Sequence, residues 1–181
     1  MNYLKKISLL LITFIAFTSC NSDDDNAVVP QPQNIVEIAL DSPDLSSLVA
    51  ALTAADGDLV NVLQGDGPFT VFAPTNEAFA AFLTSSGYEN LENVPTDVLS
   101  QVLLYHVVGG NVTSSDLTNP GETIAETLQG DSITITLPGS EGTIANVTDA
   151  SGASDIGIVA VDVQAGNGVI HILNKVMIPN L

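Results

Sequence analysis

The chain contains no arginine, no tryptophan, three lysines and one cysteine, against 21 acidic residues in 181 positions. Each scarcity excludes something. Nucleic acid and anionic headgroups are held by arrays of Lys and Arg, and no such array exists here. Stacking platforms for sugars expose Trp or Tyr, and the only tyrosines are Tyr3, Tyr88 and Tyr105. A lone cysteine in an exported chain forms no internal disulfide. Histidine is equally sparse, at His106 and His171, so no His–Cys cluster offers itself to zinc. A catalytic nucleophile needs a base and an orienting acid in space, and no nucleophile-elbow pattern frames any serine. No phosphate-binding loop is present. Asp56-Gly57-Asp58 and Gly65-Asp66-Gly67 offer carboxylates to calcium, but neither continues into a ligand loop with a closing glutamate. Turn chemistry accounts for both. The expectation is a chain with no catalytic residue, no cofactor and no metal.

What is present begins with a leader. Lys5 and Lys6 precede the apolar run Ile7 to Phe17, which ends in Thr18-Ser19-Cys20. A basic start, a short apolar stretch and small residues describe a secretory signal peptide over residues 1–19. The run falls short of the ~20 apolar residues that span a bilayer. Phe17-Thr18-Ser19-Cys20 resembles the lipobox of bacterial lipoproteins, in which the cysteine is acylated and becomes the mature N-terminus; Phe17 stands where leucine is usual. Two or three acyl chains anchor firmly where one binds only marginally. Without the leader, Lys175 alone faces 21 acids, a net charge of −20.

Residues 21–33, NSDDDNAVVPQPQ, have no apolar periodicity, an acidic run and two prolines. With Cys20 and Asn34 they read as an extended, disordered tether over 20–34. Ser22-Asp23-Asp24-Asp25 is similar to the signal that sends Bacteroidota lipoproteins to the outer face of the outer membrane. The alternatives are a solvated linker and a location on the periplasmic face. Asn111-Val112-Thr113 and Asn146-Val147-Thr148 match glycosylation sequons, which the bacterial leader makes accidental.

The folded part is expected from residue 35 to 181, a length that buries roughly 68% of its unfolded surface. Helices come first. Leu45, Leu48, Val49 and Leu52 follow i, i+3, i+4, i+7 spacing after the start signal Ser42-Pro43-Asp44. Residues 58–63 give a short second helix ending at Gly65. A strand around Phe69 to Phe72 is followed by a helix that buries Phe79, Phe82 and Leu83. Pro95 opens another, with Val98, Leu99, Val102 and Leu103 on one face. The last third changes period: Ser132 to Leu137 alternates strictly, and Ile156–Val163 and Val169–Ile178 flank the hairpin signal Gly166-Asn167-Gly168. Helices first and strands later indicate α+β, helices packed on an antiparallel sheet.

Three stretches carry a family resemblance. Residues 70–79, TVFAPTNEAF, with Thr70, Phe72, Pro74, Thr75, Asn76 and Phe79, resemble the first signature block of the fasciclin-like domain. Residues 167–179, with Asn167, Gly168, His171 and Asn174, resemble the second, although Asn174 stands where the family usually has an acidic residue. That change implies a neutral hydrogen bond in place of a buried charge contact. Leu104-Tyr105-His106-Val107-Val108 is similar to the family's Tyr-His segment. The resemblance implies a β-sandwich or wedge with flanking helices, in secreted and surface proteins tied to adhesion or matrix.

Read locally, the strand-to-helix junction is structural. Pro74 keeps Ala73 extended, Thr75 or Asn76 satisfies free amides of the first turn, and Glu77 suits its positive end. His171 alternates with Val169 and Leu173 and belongs in or beside the core. Tyr105 and His106 admit two readings. The resemblance implies a contact with an integrin-like partner; the residues themselves suggest a half-buried hydrogen-bonded pair closing a helix onto the sheet, with imidazolium at the helix C-terminus. Two functions follow. The first is a monomeric, lipid-anchored adhesion or matrix module binding a protein or polysaccharide. The second, against which the shortage of aromatics argues, is a glycan-binding accessory of an outer-membrane uptake system.

Overall fold

Asn34 opens the first helix: its side chain accepts from the Glu37 N–H at 2.9 Å while the Glu37 carboxylate accepts from the Asn34 N–H at 2.8 Å. This reciprocal capping box starts α1 (Ile35–Asp41). The computed structural model describes residues 31–117, 120–140 and 142–180. The leader over 1–19, Cys20 and the acidic run at Asp23–Asp25 lie outside the described residues. Gln33 and Asn34, the last residues of the expected tether, are engaged by the fold. The Gly166 N–H donates to the Gln33 carbonyl at 2.7 Å.

A 3₁₀ turn at Pro43–Leu45 leads into α2 (Ser46–Ala54), and α3 (Leu59–Gln64) follows. Strand β1 (Phe69–Pro74) turns directly into α4 (Asn76–Ser86), and α5 (Thr96–Tyr105) precedes the short β2 (Val107–Gly109). Then come β3 (Gly121–Glu126), β4 (Ser132–Leu137), β5 (Ala145–Thr148), β6 (Ile156–Ala165) and β7 (Gly168–Leu173). These form one seven-stranded sheet in the order β2-β1-β7-β6-β5-β4-β3. Only β1 and β7 pair in parallel; the other pairs are antiparallel. The sheet curls until its two ends touch, through a Val108–Thr127 bridge and a 2.7 Å bond from the Leu128 N–H to the Val107 carbonyl. The class is α+β, and the expected wedge is a single folded sheet with its helices on one side.

Two apolar cores explain the sequence of β1. Val71 and Ala73 face the helices, packed with Ile35, Leu48, Leu63, Phe79, Leu103 and Ile170. Phe72 faces the inside of the curled sheet, with Ile133, Ile135, Ile156, Ile158, Leu173 and Met177. Covered on both faces, β1 reads as a continuous apolar run, as buried parallel strands do. Strand β6 serves both layers. Its register with β7 shifts between Ile158 and Val163, and Asp162 adopts a left-handed φ of 58° there.

The junction TVFAPTNEAF divides its labour between neighbouring residues. Thr75 caps α4 by accepting from the Ala78 N–H at 3.2 Å, and its own N–H donates to the Leu173 carbonyl at 3.1 Å. Asn76 caps a different helix. It accepts from the Ser47 N–H at 2.8 Å and the Ser46 hydroxyl at 3.2 Å, and donates to the Pro43 carbonyl at 2.8 Å. One residue ends the strand and starts α4; the next ties α4 to α2.

Helix α1 and strands β2, β3 and β5 add to the sequence reading, and the strand expected over Val169–Ile178 stops at Leu173. The reason for that stop is local. The Asn174 N–H donates to the Gly157 carbonyl at 3.0 Å, and beyond it side chains take over from the neighbouring strand as hydrogen-bond acceptors.

Candidate functional site

Helix α5 ends at Tyr105, and His106 is its C-cap. The helix buries Leu99, Val102, Leu103 and Tyr105, which carries both residues of the Tyr-His segment into the interior. Tyr105 is 0% exposed and His106 2%. The pair faces opposite ways. Tyr105 enters the core inside the sheet, where its phenol donates to the Ser132 carbonyl at 3.2 Å and accepts from the Ala150 N–H at 2.8 Å. Burial pushes its pKa up to about 12, against the Ala150 hydrogen bond, which lowers it.

His106 is bound at both ring nitrogens. Nδ1 lies 2.7 Å from the Val102 carbonyl, and Nε2 accepts from the Met177 N–H at 3.0 Å. A backbone donor at Nε2 requires that the proton sit on Nδ1 and be donated to Val102. The imidazole is therefore neutral. Burial holds its pKa down at about 4, although the Val102 carbonyl and the Asp149 carboxylate both favour the charged form. The expectation of a half-buried imidazolium at the helix end is corrected: a fully buried neutral ring caps the Val102 carbonyl instead.

His171 uses the opposite tautomer. Its Nε2 lies 2.8 Å from the Val112 carbonyl, and its Nδ1 accepts from the Asp162 N–H at 3.3 Å. It is 1% exposed and its ring tilts against Phe72 with centroids 5.4 Å apart. Asp162 turns its carboxylate the other way, accepting from the Ser114 N–H at 2.8 Å and from the Ser114 hydroxyl. Desolvation raises the Asp162 pKa, but these Ser114 bonds outweigh it and the net shift is downward. Ser114, Asp162 and His171 thus lie in one neighbourhood without making a triad. The serine pairs with the carboxylate, and both imidazole nitrogens bond to backbone groups.

The remaining motif residues also bond to backbone. Thr70, buried, donates to the Gly110 carbonyl and accepts from the Val112 N–H, both at 2.8 Å. Asn167 accepts from the Ile35 N–H at 3.0 Å and donates to the carbonyls of Leu63 at 2.7 Å and Gly65 at 2.8 Å. A side chain at Gly168 would fall on the Phe69 carbonyl, so the hairpin approaches β1 only with glycine there. Asn174 accepts from the Gly157 N–H at 2.7 Å. That is the neutral hydrogen bond expected, but on an exposed residue, so no buried charge contact is at issue.

Three acidic positions do work that sequence reasoning missed. Asp149, 5% exposed, accepts from the N–H groups of Ser151 and Ala153 at 3.0 Å and of Ile178 at 2.9 Å. Asp131 accepts from the Asn180 N–H at 3.2 Å. Asp149-Ala150-Ser151-Gly152 carries a turn signal, whereas nothing in the sequence marks Asp162 as a left-handed residue inside a strand. Asp56 accepts from the Thr96 hydroxyl at 2.5 Å and Asp58 from the Asn61 amide at 2.7 Å. Among the described residues no three His, Cys, Asp or Glu side chains converge on a metal position.

A recess of about 280 Å³ lies between α4 and the segment after β7, with Ala78, Phe82, Ile156, Val176 and Ile178 along it and the Lys175–Asp155 ion pair at its rim. The Lys175 contact lowers the Asp155 pKa. No helix among the described residues is long and apolar enough to cross a membrane.

Comparison with known proteins agrees with this architecture. A solved FAS1 domain pair from the insect cell adhesion molecule Fasciclin I superposes with a TM-score of 0.62 at 19% identity, over 82% of this chain and 51% of that one. The chain therefore spans about half of that pair. Protein sll1483 of Synechocystis is 35% identical over 170 residues, covering 91% of this chain and 87% of that protein. The immunogenic protein MPB70 of Mycobacterium bovis is 29% identical over 90% of this chain and 78% of its own. The cell surface glycolipoprotein MPB83 of the same species is 29% identical over 80% of this chain and 60% of its own. The model of the fasciclin domain matches residues 43–179, which takes in β1, α5 and β7 with their signature residues, and the chain belongs to the fasciclin domain family.

Proposed function

We propose that this chain is a non-catalytic adhesion or matrix-interaction module, anchored by acyl chains on Cys20 and displayed at the outer face of a bacterial outer membrane, where it meets a protein or polysaccharide partner. The observation that carries the non-catalytic reading is the state of its acid–base groups. Both imidazoles and the Tyr105 phenol have their polar atoms engaged by backbone partners inside the fold, so none is presented to a substrate. The anchoring reading rests on Phe17-Thr18-Ser19-Cys20 and the following Ser22-Asp23-Asp24-Asp25. Relatives named as a cell surface glycolipoprotein and as a cell adhesion molecule support the surface role. The glycan-uptake alternative lacks a stacking platform among the described residues, since Tyr105 is buried and Tyr88 packs against the helical core.

The test is made in cells. Wild-type chain should incorporate labelled palmitate, be cut by external protease and restore attachment to a strain lacking it. Cys20→Ser should lose label and attachment together. Deleting Asp23–Asp25 should retain the label but lower protease access. Label persisting in Cys20→Ser would end the lipoprotein reading, and attachment unaffected by loss of the protein would end the adhesion reading.

A further inference from the structure

Residues 174–180 follow β7 without belonging to any strand, yet Val176, Met177 and Pro179 are buried. Met177 is 0% exposed, within the core inside the sheet. Three of the backbone N–H groups here are held by titratable side chains. Met177 donates to His106 Nε2 at 3.0 Å, Ile178 to Asp149 at 2.9 Å and Asn180 to Asp131 at 3.2 Å. The three acceptors come from different places in the chain, and the imidazole among them accepts at Nε2 only while that nitrogen is unprotonated. We propose that residues 174–180 are an acid-releasable strap: protonation of His106 frees the segment while the sheet stays paired.

His106 is the trigger because protonation reverses its role. A second ring proton would sit on Nε2 and point at the Met177 N–H, donor against donor. The groups around the ring are few. The Val102 carbonyl lies on its own helix and the Met177 N–H on the strap, with the Asp149 carboxylate acting on it as the nearby charge. The side towards α1, α2, α3, β1 and β7 is apolar, with Ile35, Leu45, Leu63, Val71 and Ile170 sharing a cavity wall with it. Nothing there stabilises an imidazolium, so its charge is relieved by letting the strap go. Release would widen the recess beside α4, since Val176 and Ile178 form one wall, and would expose Ile156 and the site of Met177. The acid form would then present an apolar surface that the neutral form keeps closed.

Amide hydrogen exchange of the purified full-length protein reads this directly. Correcting for intrinsic rates, protection at Met177, Ile178 and Asn180 should fall on the order of 100-fold from pH 7 to pH 4, the limit set by a ring held at about 4 when strapped and near 6.5 when free. Protection of Val169–Leu173 should hold over the same range. His106→Gln places a non-titrating acceptor at the Nε2 position and should keep the strap protected at pH 4. Equal loss in that variant would overturn the trigger, as would a parent strap that stays protected at pH 4, or that opens only together with β7. If His106→Gln does not fold, the imidazole resonances of the parent decide. Ring protonation must share its midpoint with strap opening, and separate midpoints would overturn the proposal.

Discussion

The side-chain amide of Asn167, in the turn between β6 and β7, donates to the backbone carbonyl of Leu63 at 2.7 Å, joining positions 104 residues apart. The same carboxamide donates to Gly65 and accepts from the Ile35 N–H. One half-buried residue thus satisfies the end of α3 and the start of α1, orphan groups that every helix must place somewhere. The hairpin signal read from Gly166-Asn167-Gly168 was local, while the function of Asn167 is long-range.

Asn167→Ala should therefore cost about 2–4 kcal/mol, because two carbonyls and an N–H lose their partner at once. Asn167→Asp should be at least as damaging, since a carboxylate cannot donate and would face two carbonyl oxygens. Denaturant midpoints of both variants against the parent check this. An Asp variant as stable as the parent would show that the donor side of the amide is irrelevant.

The aromatic residues of the first signature block enter different cores. Phe72 is 0% exposed inside the sheet and Phe79 is 2% exposed beneath the helices. Each truncation to alanine should cost about 3–5 kcal/mol. Because the two rings share no cluster, their effects should add in the double variant, as for independent sites. Equilibrium unfolding of the two single variants and the double variant measures both claims, and strong non-additivity would mean that the cores are not separate.

Much of this fold was legible in the sequence, and the exceptions have physical causes. The amphipathic spacing of Leu45, Leu48 and Leu52 marks α2 because all three are buried. Strand β4 announces itself because Ile133 and Ile135 face inward and alternate with threonine. Strand β3 is silent for the opposite reason: Ile124 is 72% exposed while Ala125 is buried, so hydrophobicity marks the wrong face. The parallel pairing of β1 with β7 depends on two runs almost a hundred residues apart, and no local pattern encodes it. At the Tyr-His segment, spacing turns Tyr105 inward correctly but cannot reveal that His106 meets Met177, a residue 71 positions away. Hence it reads as half-buried and charged when it is buried and neutral.

Asn76 should behave as a cap for a helix other than its own. Asn76→Ala removes the acceptor for the Ser47 N–H and the donor to the Pro43 carbonyl, and should cost about 1–2 kcal/mol, the usual scale for a lost N-cap. The loss should appear first as faster amide exchange at the start of α2, with α4, capped by Thr75, unaffected. Exchange accelerated equally in α2 and α4 would refute the division of labour between Thr75 and Asn76.

The last prediction sets the sign of the pH dependence. His106 is held at about 4 in the folded protein by burial, against about 6.5 in an unfolded chain. The folded state thus prefers the neutral ring, so stability from this group is complete above pH 6.5 and is lost as pH falls towards 4. The full difference is about 3 kcal/mol, a large share of a typical ~5–15 kcal/mol. His106→Ala should lower stability at pH 7 by about 1–3 kcal/mol, through the unpaired Val102 carbonyl and Met177 N–H, and should also flatten the curve between pH 6.5 and 4. A purely exposed partner-binding histidine would do neither, leaving midpoint and pH profile unchanged while attachment falls. Urea midpoints at a series of pH values, set beside attachment assays on the same variant, therefore separate the two roles. A stable His106→Ala protein with the parental pH profile and no attachment would assign the residue to a partner contact rather than to the fold.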